Sequence, residues 1–98
     1  MLPYYQVLVF VENDKGVKTC KYKAENKTKV EAEKEKLVLV KNIEKNLENV
    51  EELERQLIIY KKKEVELRYF NRYTRELYCK YYVQIKRYTL LQLLNIKL

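Results

Sequence analysis

The stretch Glu76–Tyr88 repeats with a period of two residues, and this repeat constrains the fold more than any other feature of the sequence. In a β-strand, successive side chains point to opposite faces, so the repeat predicts a strand with two chemically different faces. One face is apolar and consists of Leu77, Cys79, Tyr81, Val83 and Ile85. The other alternates tyrosine with amide or cationic groups and consists of Tyr78, Lys80, Tyr82, Gln84, Lys86 and Tyr88. The first face would form a core, and the second has the ring and ammonium groups on which bases can stack and phosphates can bind.

A helical period competes with the strand interpretation of residues 64–88. The apolar residues that also form a helical stripe are Leu67, Phe70, Leu77, Tyr81, Ile85 and Tyr88, and no glycine or proline interrupts residues 17–98. We favour strands because the alternation over residues 77–85 is unbroken and because tyrosine, valine and isoleucine are typical of strands.

The N-terminal part of the chain predicts a β-hairpin. Tyr4–Glu12 is rich in valine and aromatic residues, and Val17–Ala24 is a second strand-like segment. Between them, Asn13–Gly16 contains the only glycine of the chain, which would supply the positive φ of a tight turn. Both faces of the first strand carry apolar residues, so we expect it to be covered on both sides.

A long amphipathic helix is predicted to follow the hairpin. Thr28 and Glu31 have the spacing of a capping box, and apolar residues then recur every three or four positions up to Lys61–Lys63, at the negative end of the helix. Such a helix would be about 50 Å long, more than the width of a domain of this size. We therefore predict two helices, or one bent helix, with the joint between Lys41 and Asn49. An unbroken helix that pairs with a second copy as a coiled coil is the alternative.

The complete predicted order is β-β-α(α)-β-β-α. Glu64–Phe70 is the third strand, Asn71–Arg75 a turn, Glu76–Tyr88 the fourth strand, and Thr89–Gln92 begins a short C-terminal helix. We expect a single α+β domain, residues 1–98, in which two antiparallel β-hairpins flank and pack on the long helix. The predicted core consists of Val7, Val9, Leu37, Val40, Leu47, Val50, Leu57, Leu67, Leu77, Tyr81, Val83 and Ile85.

Positive charge is concentrated in the C-terminal part of the chain. Residues 1–59 contain eleven basic and eleven acidic side chains, whereas residues 60–98 contain ten basic and three acidic ones and thus hold the entire net charge of +7. Seven of the ten tyrosines lie in the same part. Such an asymmetry is typical of proteins that bind polyanions, although net charge also serves solubility.

The residue types that are missing exclude several classes of enzyme. The chain has no serine and no histidine, so it has no serine triad, no cysteine–histidine dyad and no imidazole general base. A single glycine does not permit a P-loop or a dinucleotide fingerprint. We predict a non-enzymatic binding protein that forms a homodimer and has no catalytic residues, no metal site and no cofactor, and we find no sign of a small-molecule substrate.

A nucleic-acid interface is the function that the tyrosine–lysine face favours. Base stacking on aromatic rings tolerates any sequence, and Tyr78 and Tyr82 would be about 13 Å apart along a strand. The predicted binding residues are Arg68, Arg72, Arg75, Tyr78, Lys80, Tyr82, Lys86 and Tyr88. The alternative is a protein-interaction module, a homodimer that uses the same tyrosine-rich face, because tyrosine and arginine are enriched at interface hot spots.

The two cysteines, Cys20 and Cys79, are too few for a zinc site in a chain without histidine. Both fall on apolar faces of predicted strands, so we consider two states. They are small buried thiols, or they form a disulfide of the kind that hyperthermophile proteins tolerate inside the cell.

In composition the whole chain resembles the small orphan proteins of filamentous and rod-shaped viruses of hyperthermophilic archaea, the lipothrixviruses and rudiviruses. It shares their abundance of Lys, Glu, Tyr, Ile and Leu and their scarcity of Gly, Pro and His. The resemblance implies a viral accessory protein that acts in the host cytoplasm. No segment approaches the length of a membrane span, and Met1–Val11 lacks the features of a signal peptide, so we expect a cytoplasmic protein without a membrane partner.

Overall fold

The computed structural model describes residues 4–26 and 28–88, and for Arg55 the backbone only. These residues form one helix and five strands: β1 (Tyr4–Asn13), β2 (Lys18–Asn26), α1 (Lys29–Leu47), β3 (Leu53–Tyr60), β4 (Glu64–Asn71) and β5 (Leu77–Tyr88). The strands form a single antiparallel sheet in the order β2-β1-β5-β4-β3. The predicted α+β class is confirmed.

The strand predicted from the period-two repeat is β5, and it occupies the centre of the sheet. Val83 of β5 lies opposite Val9 of β1 and opposite Val65 of β4, and all three side chains are buried beneath the helix. Cys79, Tyr81 and Ile85 belong to the same core or pack against it. The alternative helical stripe over residues 64–88 is therefore wrong, because these residues bury one side of a pleated surface.

The helix begins where the capping box predicts. The Thr28 hydroxyl accepts a hydrogen bond of 3.1 Å from the Glu31 amide, which satisfies one of the free donors of the first turn. The helix ends at Leu47, inside the predicted joint between Lys41 and Asn49. Its buried residues, Ala32, Lys36 and Val40, recur every four positions and rest on the sheet.

The second half of the predicted helix is wrong, and so is the unbroken coiled-coil helix. Residues 53–60 form β3, which pairs with β4 so that Ile58 lies opposite Leu67. Leu57–Tyr60 contains two consecutive isoleucines and a tyrosine, residue types that fit a pleated, half-buried surface. Pairing with β4 satisfies this backbone and buries Ile58 at the same time.

Both predicted hairpins exist, but they join into one sheet. Gly16, with φ of +81°, closes the turn between β1 and β2, as predicted. The β4–β5 hairpin also forms, and β3 extends it to a three-stranded meander. Because β1 pairs along its length with β5, the two hairpins lie edge to edge on one side of the helix rather than flanking it. The C-terminal helix predicted at Thr89 lies outside the described residues.

The core confirms most of the predicted residues and excludes Leu37 and Leu57. Both of these leucines are exposed. Leu37 follows the sheet-facing Lys36 by one position, about 100° around the helix, and Leu57 neighbours Ile58 on the opposite face of β3. Leu77 is half-buried. The remaining predicted core residues are buried or pack against the core: Val7, Val9, Val40, Leu47, Val50, Leu67, Tyr81, Val83 and Ile85.

Of the two states considered for the cysteines, the structure has the free thiols and no disulfide between Cys20 and Cys79. Cys20 is exposed on β2 and lies opposite Phe10, whereas Cys79 is buried on β5 and lies opposite Asn13. Two strand spacings alone place their backbones about 9 to 10 Å apart, beyond the span of a disulfide. Burial raises the pKa of the Cys79 thiol to about 11, so this thiol stays protonated at neutral pH.

Candidate nucleic-acid interface

The tyrosine-rich face of β5 points away from the helix, but its middle is closed. Tyr82 is buried, and the ammonium group of Lys18 lies 4.1 Å from the centre of its ring. Its hydroxyl donates to a carboxylate oxygen of Glu12 over 3.4 Å, and burial together with Glu12 raises the pKa of Tyr82. A lysine from β2 thus covers the face of the Tyr82 ring on which a base was predicted to stack.

Two of the predicted cations on this face are neutralised by carboxylates. Lys80 lies 3.7 Å from Glu12, and Arg68 forms a hydrogen-bonded ion pair with the buried Glu66. Lys61 adds a second cation 3.4 Å from Glu66. Burial alone would raise the pKa of Glu66, but the cations Arg68 and Lys61 outweigh it and lower the pKa. Arg68 and Lys80 therefore contribute to the sheet rather than to a free positive surface.

The other predicted residues separate into two groups at opposite ends of β5. Arg72, Arg75 and Tyr78 lie at or beside the β4–β5 turn, where Arg72 donates to the Leu53 carbonyl over 3.3 Å. Lys86 and Tyr88 lie at the other end, about 26 Å and about 33 Å from Tyr78 at about 3.3 Å per residue. Tyr88 stacks on Tyr4 with ring centres 5.4 Å apart. The eight predicted residues therefore do not form one continuous site.

A basic groove exists instead at the end of the sheet that holds Lys86. It comprises two hollows of about 250 Å³ and 490 Å³, which share Lys62, Lys63 and Ile85. Arg87 lies opposite Tyr5 on the helix side of β5 and Lys86 lies on the other face, so the groove runs around the end of the sheet beside the β3–β4 turn. We define the basic groove by the residues that carry its chemistry, namely the cations Lys29, Lys62, Lys63, Lys86 and Arg87 and the partly apolar floor of Tyr5 and Ile85.

Three separate segments supply the cations of the basic groove. Lys29 comes from the first turn of α1, Lys62 and Lys63 from the β3–β4 turn, and Lys86 and Arg87 from the end of β5. The Ile85 amide donates to the Lys63 carbonyl over 3.1 Å, which holds the β3–β4 turn against β5. The basic groove is therefore a product of the tertiary fold.

The cations of the basic groove are exposed, and no ion pair joins them to a carboxylate within residues 4–26 and 28–88. Of the two glutamates that line the hollows, Glu33 lies 3.1 Å from Lys36 and Glu64 lies 3.6 Å from Lys61. Both carboxylates already have a cationic partner. The groove thus retains a local excess of positive charge facing solvent.

Sequence reasoning found Lys86 but missed the rest of the basic groove. The sequence pattern predicts that Lys61–Lys63 lie at the end of a helix, whereas they form the turn between β3 and β4. Lys29 and Tyr5 lie far from Lys86 in sequence, and Arg87 follows Lys86 directly but falls on the opposite face of the strand. The available signal was the run of three lysines between two strand-like segments, Leu57–Tyr60 and Glu64–Phe70.

Comparison with known proteins gives no relative for this chain. No protein-family model, no curated protein and no solved structure matches it. Within the described part of the chain, no group of three or more cysteine or carboxylate side chains is placed to hold a metal ion. Nor does that part contain a helix with the length and apolarity needed to cross a membrane.

Proposed function

We propose that this protein binds nucleic acid without sequence specificity and that the basic groove is its binding surface. The observation that carries the proposal is the set of five exposed cations with no carboxylate partner among the described residues, brought together from three segments. Exposed lysine and arginine bind backbone phosphates, which carry no sequence information. The role is that of a non-enzymatic accessory protein, in keeping with the compositional resemblance to archaeal viral proteins.

The floor of the basic groove favours a single strand over a duplex. Tyr5 offers a half-buried ring beside the cations, and a ring next to a positively charged track is the arrangement on which unpaired bases stack. A duplex presents its phosphates but keeps its bases paired, so it gains only the ionic contacts. We therefore expect single strands to bind more tightly than duplexes of equal length.

The alternative function, a homodimer through the tyrosine-rich face, gains no support from the described residues. Tyr82 is buried, and Tyr88 is half-buried against Tyr4. Tyr78 alone is well exposed among the tyrosines of β5. One exposed ring is a small anchor for an interface.

The test is a titration of fluorescently labelled oligonucleotides, single-stranded and duplex, followed by anisotropy. The groove variant combines Lys62→Gln, Lys63→Gln and Arg87→Gln. The matched control removes the same charge from exposed lysines outside the groove and combines Lys21→Gln, Lys23→Gln and Lys34→Gln.

We expect the groove variant to lose at least about tenfold in affinity and the control to lose much less, because local cations release counterions on binding. Tyr78→Ala should leave binding unchanged, since that ring lies at the far end of β5. Equal losses in the two charge variants would refute the assignment to the groove. Absence of binding by the unmodified protein at low salt would refute the function.

A further inference from the structure

The outer edge of β3 is not covered by any other strand among residues 4–26 and 28–88. β3 is the last strand of the sheet, and its inner edge pairs with β4. The Lys61 amide donates to the Glu64 carbonyl over 2.8 Å, so odd-numbered residues from there back to Leu57 direct their backbone groups toward β4. The backbone groups of Gln56, Ile58 and Tyr60 therefore point outward, where no described strand meets them.

The two edges of the sheet differ in how they are protected. β2, at the opposite edge, carries Lys18, Lys21 and Lys23, and charged lysines on an edge are a known defence against pairing with another strand. β3 has no charged residue between Gln56 and Tyr60. Leu57 is 44% exposed and Tyr60 is 70% exposed, so the open backbone lies beside exposed apolar groups.

The charges at the two ends of β3 complement each other when the strand meets a reversed copy of itself. Glutamates precede the neutral segment at Glu51, Glu52 and Glu54, and lysines follow it at Lys61–Lys63. A two-fold axis normal to the sheet places β3 antiparallel to β3 of the other copy. Both helices then lie on the same face of the combined sheet. With Leu57 opposite its own counterpart, Glu51 and Glu52 of each copy approach the Lys62–Lys63 turn of the other. In the dimer these two lysines of the basic groove therefore acquire carboxylate neighbours, and nucleic acid competes with the partner copy for them.

We propose that two copies of this chain pair through their β3 edges. The dimer is a continuous antiparallel sheet of ten strands with a basic groove at each end. Outward backbone groups provide the hydrogen bonds, Leu57 and Tyr60 provide apolar contact, and the complementary charges select the antiparallel register. This surface is distinct from the tyrosine-rich face of β5, and the inference does not rest on the proposed function.

The first test measures the mass of the protein by light scattering and by sedimentation over a concentration series. We expect a dimer. The variant Leu57→Lys places a charge at an exposed position of the pairing edge that faces its own copy, and should raise the dimer dissociation constant at least about tenfold, since like charges then oppose each other. The control Leu37→Lys adds the same charge at an exposed apolar site elsewhere and should remain dimeric.

A second variant keeps the test decisive if the lysine variant folds poorly. Gln56→Pro removes an outward amide that donates to no described residue of the single copy, so circular dichroism should be unchanged while the dimer is lost. A monomeric unmodified protein, or a dimer that persists in both edge variants, would overturn the proposal.

A charge exchange separates this inference from nucleic-acid binding. Glu51→Lys with Glu52→Lys should weaken the dimer, and the further exchange of Lys62→Glu and Lys63→Glu should restore it. The fourfold variant lacks two cations of the basic groove, so its affinity for oligonucleotides should be lower than that of the unmodified protein although its dimer is restored. Failure of the exchange to restore the dimer would remove the ionic argument for the antiparallel register.

Discussion

The salt dependence of oligonucleotide binding is the most quantitative consequence of the basic groove. Five exposed cations line it, and Lys61 is excluded from the count because its ammonium group lies near Glu64 and Glu66. If each of the five contacts one phosphate of a single strand, the logarithm of affinity falls with the logarithm of salt with a slope of about −3.5. Raising salt from about 50 mM to about 200 mM then weakens binding about 130-fold.

Neutralising three of the five cations should flatten this dependence by a calculable amount. The variant Lys62→Gln, Lys63→Gln, Arg87→Gln keeps Lys29 and Lys86, so its slope should be about −1.4 and the same change in salt should weaken binding only about sevenfold. The assay is anisotropy at four or more salt concentrations on one labelled single strand. The control variant at Lys21, Lys23 and Lys34 should keep the original slope.

Two results would refute the reasoning. An unchanged slope in the groove variant would show that phosphates bind elsewhere, and a slope near zero in the unmodified protein would show that binding, if observed, is not ionic.

Three further predictions concern stability and are measured by urea or thermal unfolding. Leu67 is fully buried, so Leu67→Ala should cost about 2 to 5 kcal/mol and lower the melting temperature by at least about 8 °C; a change below about 2 °C would contradict its place in the core. The Tyr69 hydroxyl is buried with no hydrogen-bond partner among the described residues, so Tyr69→Phe should stabilise the protein by about 1 kcal/mol, and a clear destabilisation would show that the hydroxyl has a partner. The pKa of Glu66 is lower in the folded state than in the unfolded state, so the ionised carboxylate stabilises the fold. The unmodified protein should therefore be more stable than Glu66→Gln by a constant amount above about pH 4.5, and by less as the pH falls through the folded-state pKa. A stability difference that grows as the pH falls would contradict this prediction.

The central strands illustrate where local pattern was sufficient. In β5 every second residue is apolar over five such positions. Only an extended conformation places all five on one face, where they can be buried together. The capping pair Thr28 and Glu31 likewise defined the helix start within a few residues of chain. In both cases the interactions that decide the conformation lie inside the segment.

β3 illustrates where local pattern was ambiguous. Leu53, Leu57 and Tyr60 have helical spacing, while Ile58 and Ile59 favour a strand, so the segment is compatible with either conformation. Pairing with β4 resolves the ambiguity, because it satisfies the backbone of one strand edge and seats Ile58 against the core. The pairing strand β4 follows after a turn, so the periodicity of residues 53–60 alone cannot reveal it.

The sequence shows the charge asymmetry of the chain, but it does not show which cations stay free of carboxylate partners. Counting residues places the whole excess of +7 in residues 60–98. Which cations remain available depends on contacts between distant segments: Glu12 lies near Lys80, and Lys18 covers Tyr82. Alternation and capping depend on a few neighbouring residues, so they can be predicted from the sequence. Ion pairing and groove formation depend on which strands become neighbours, and that is a property of the folded sheet.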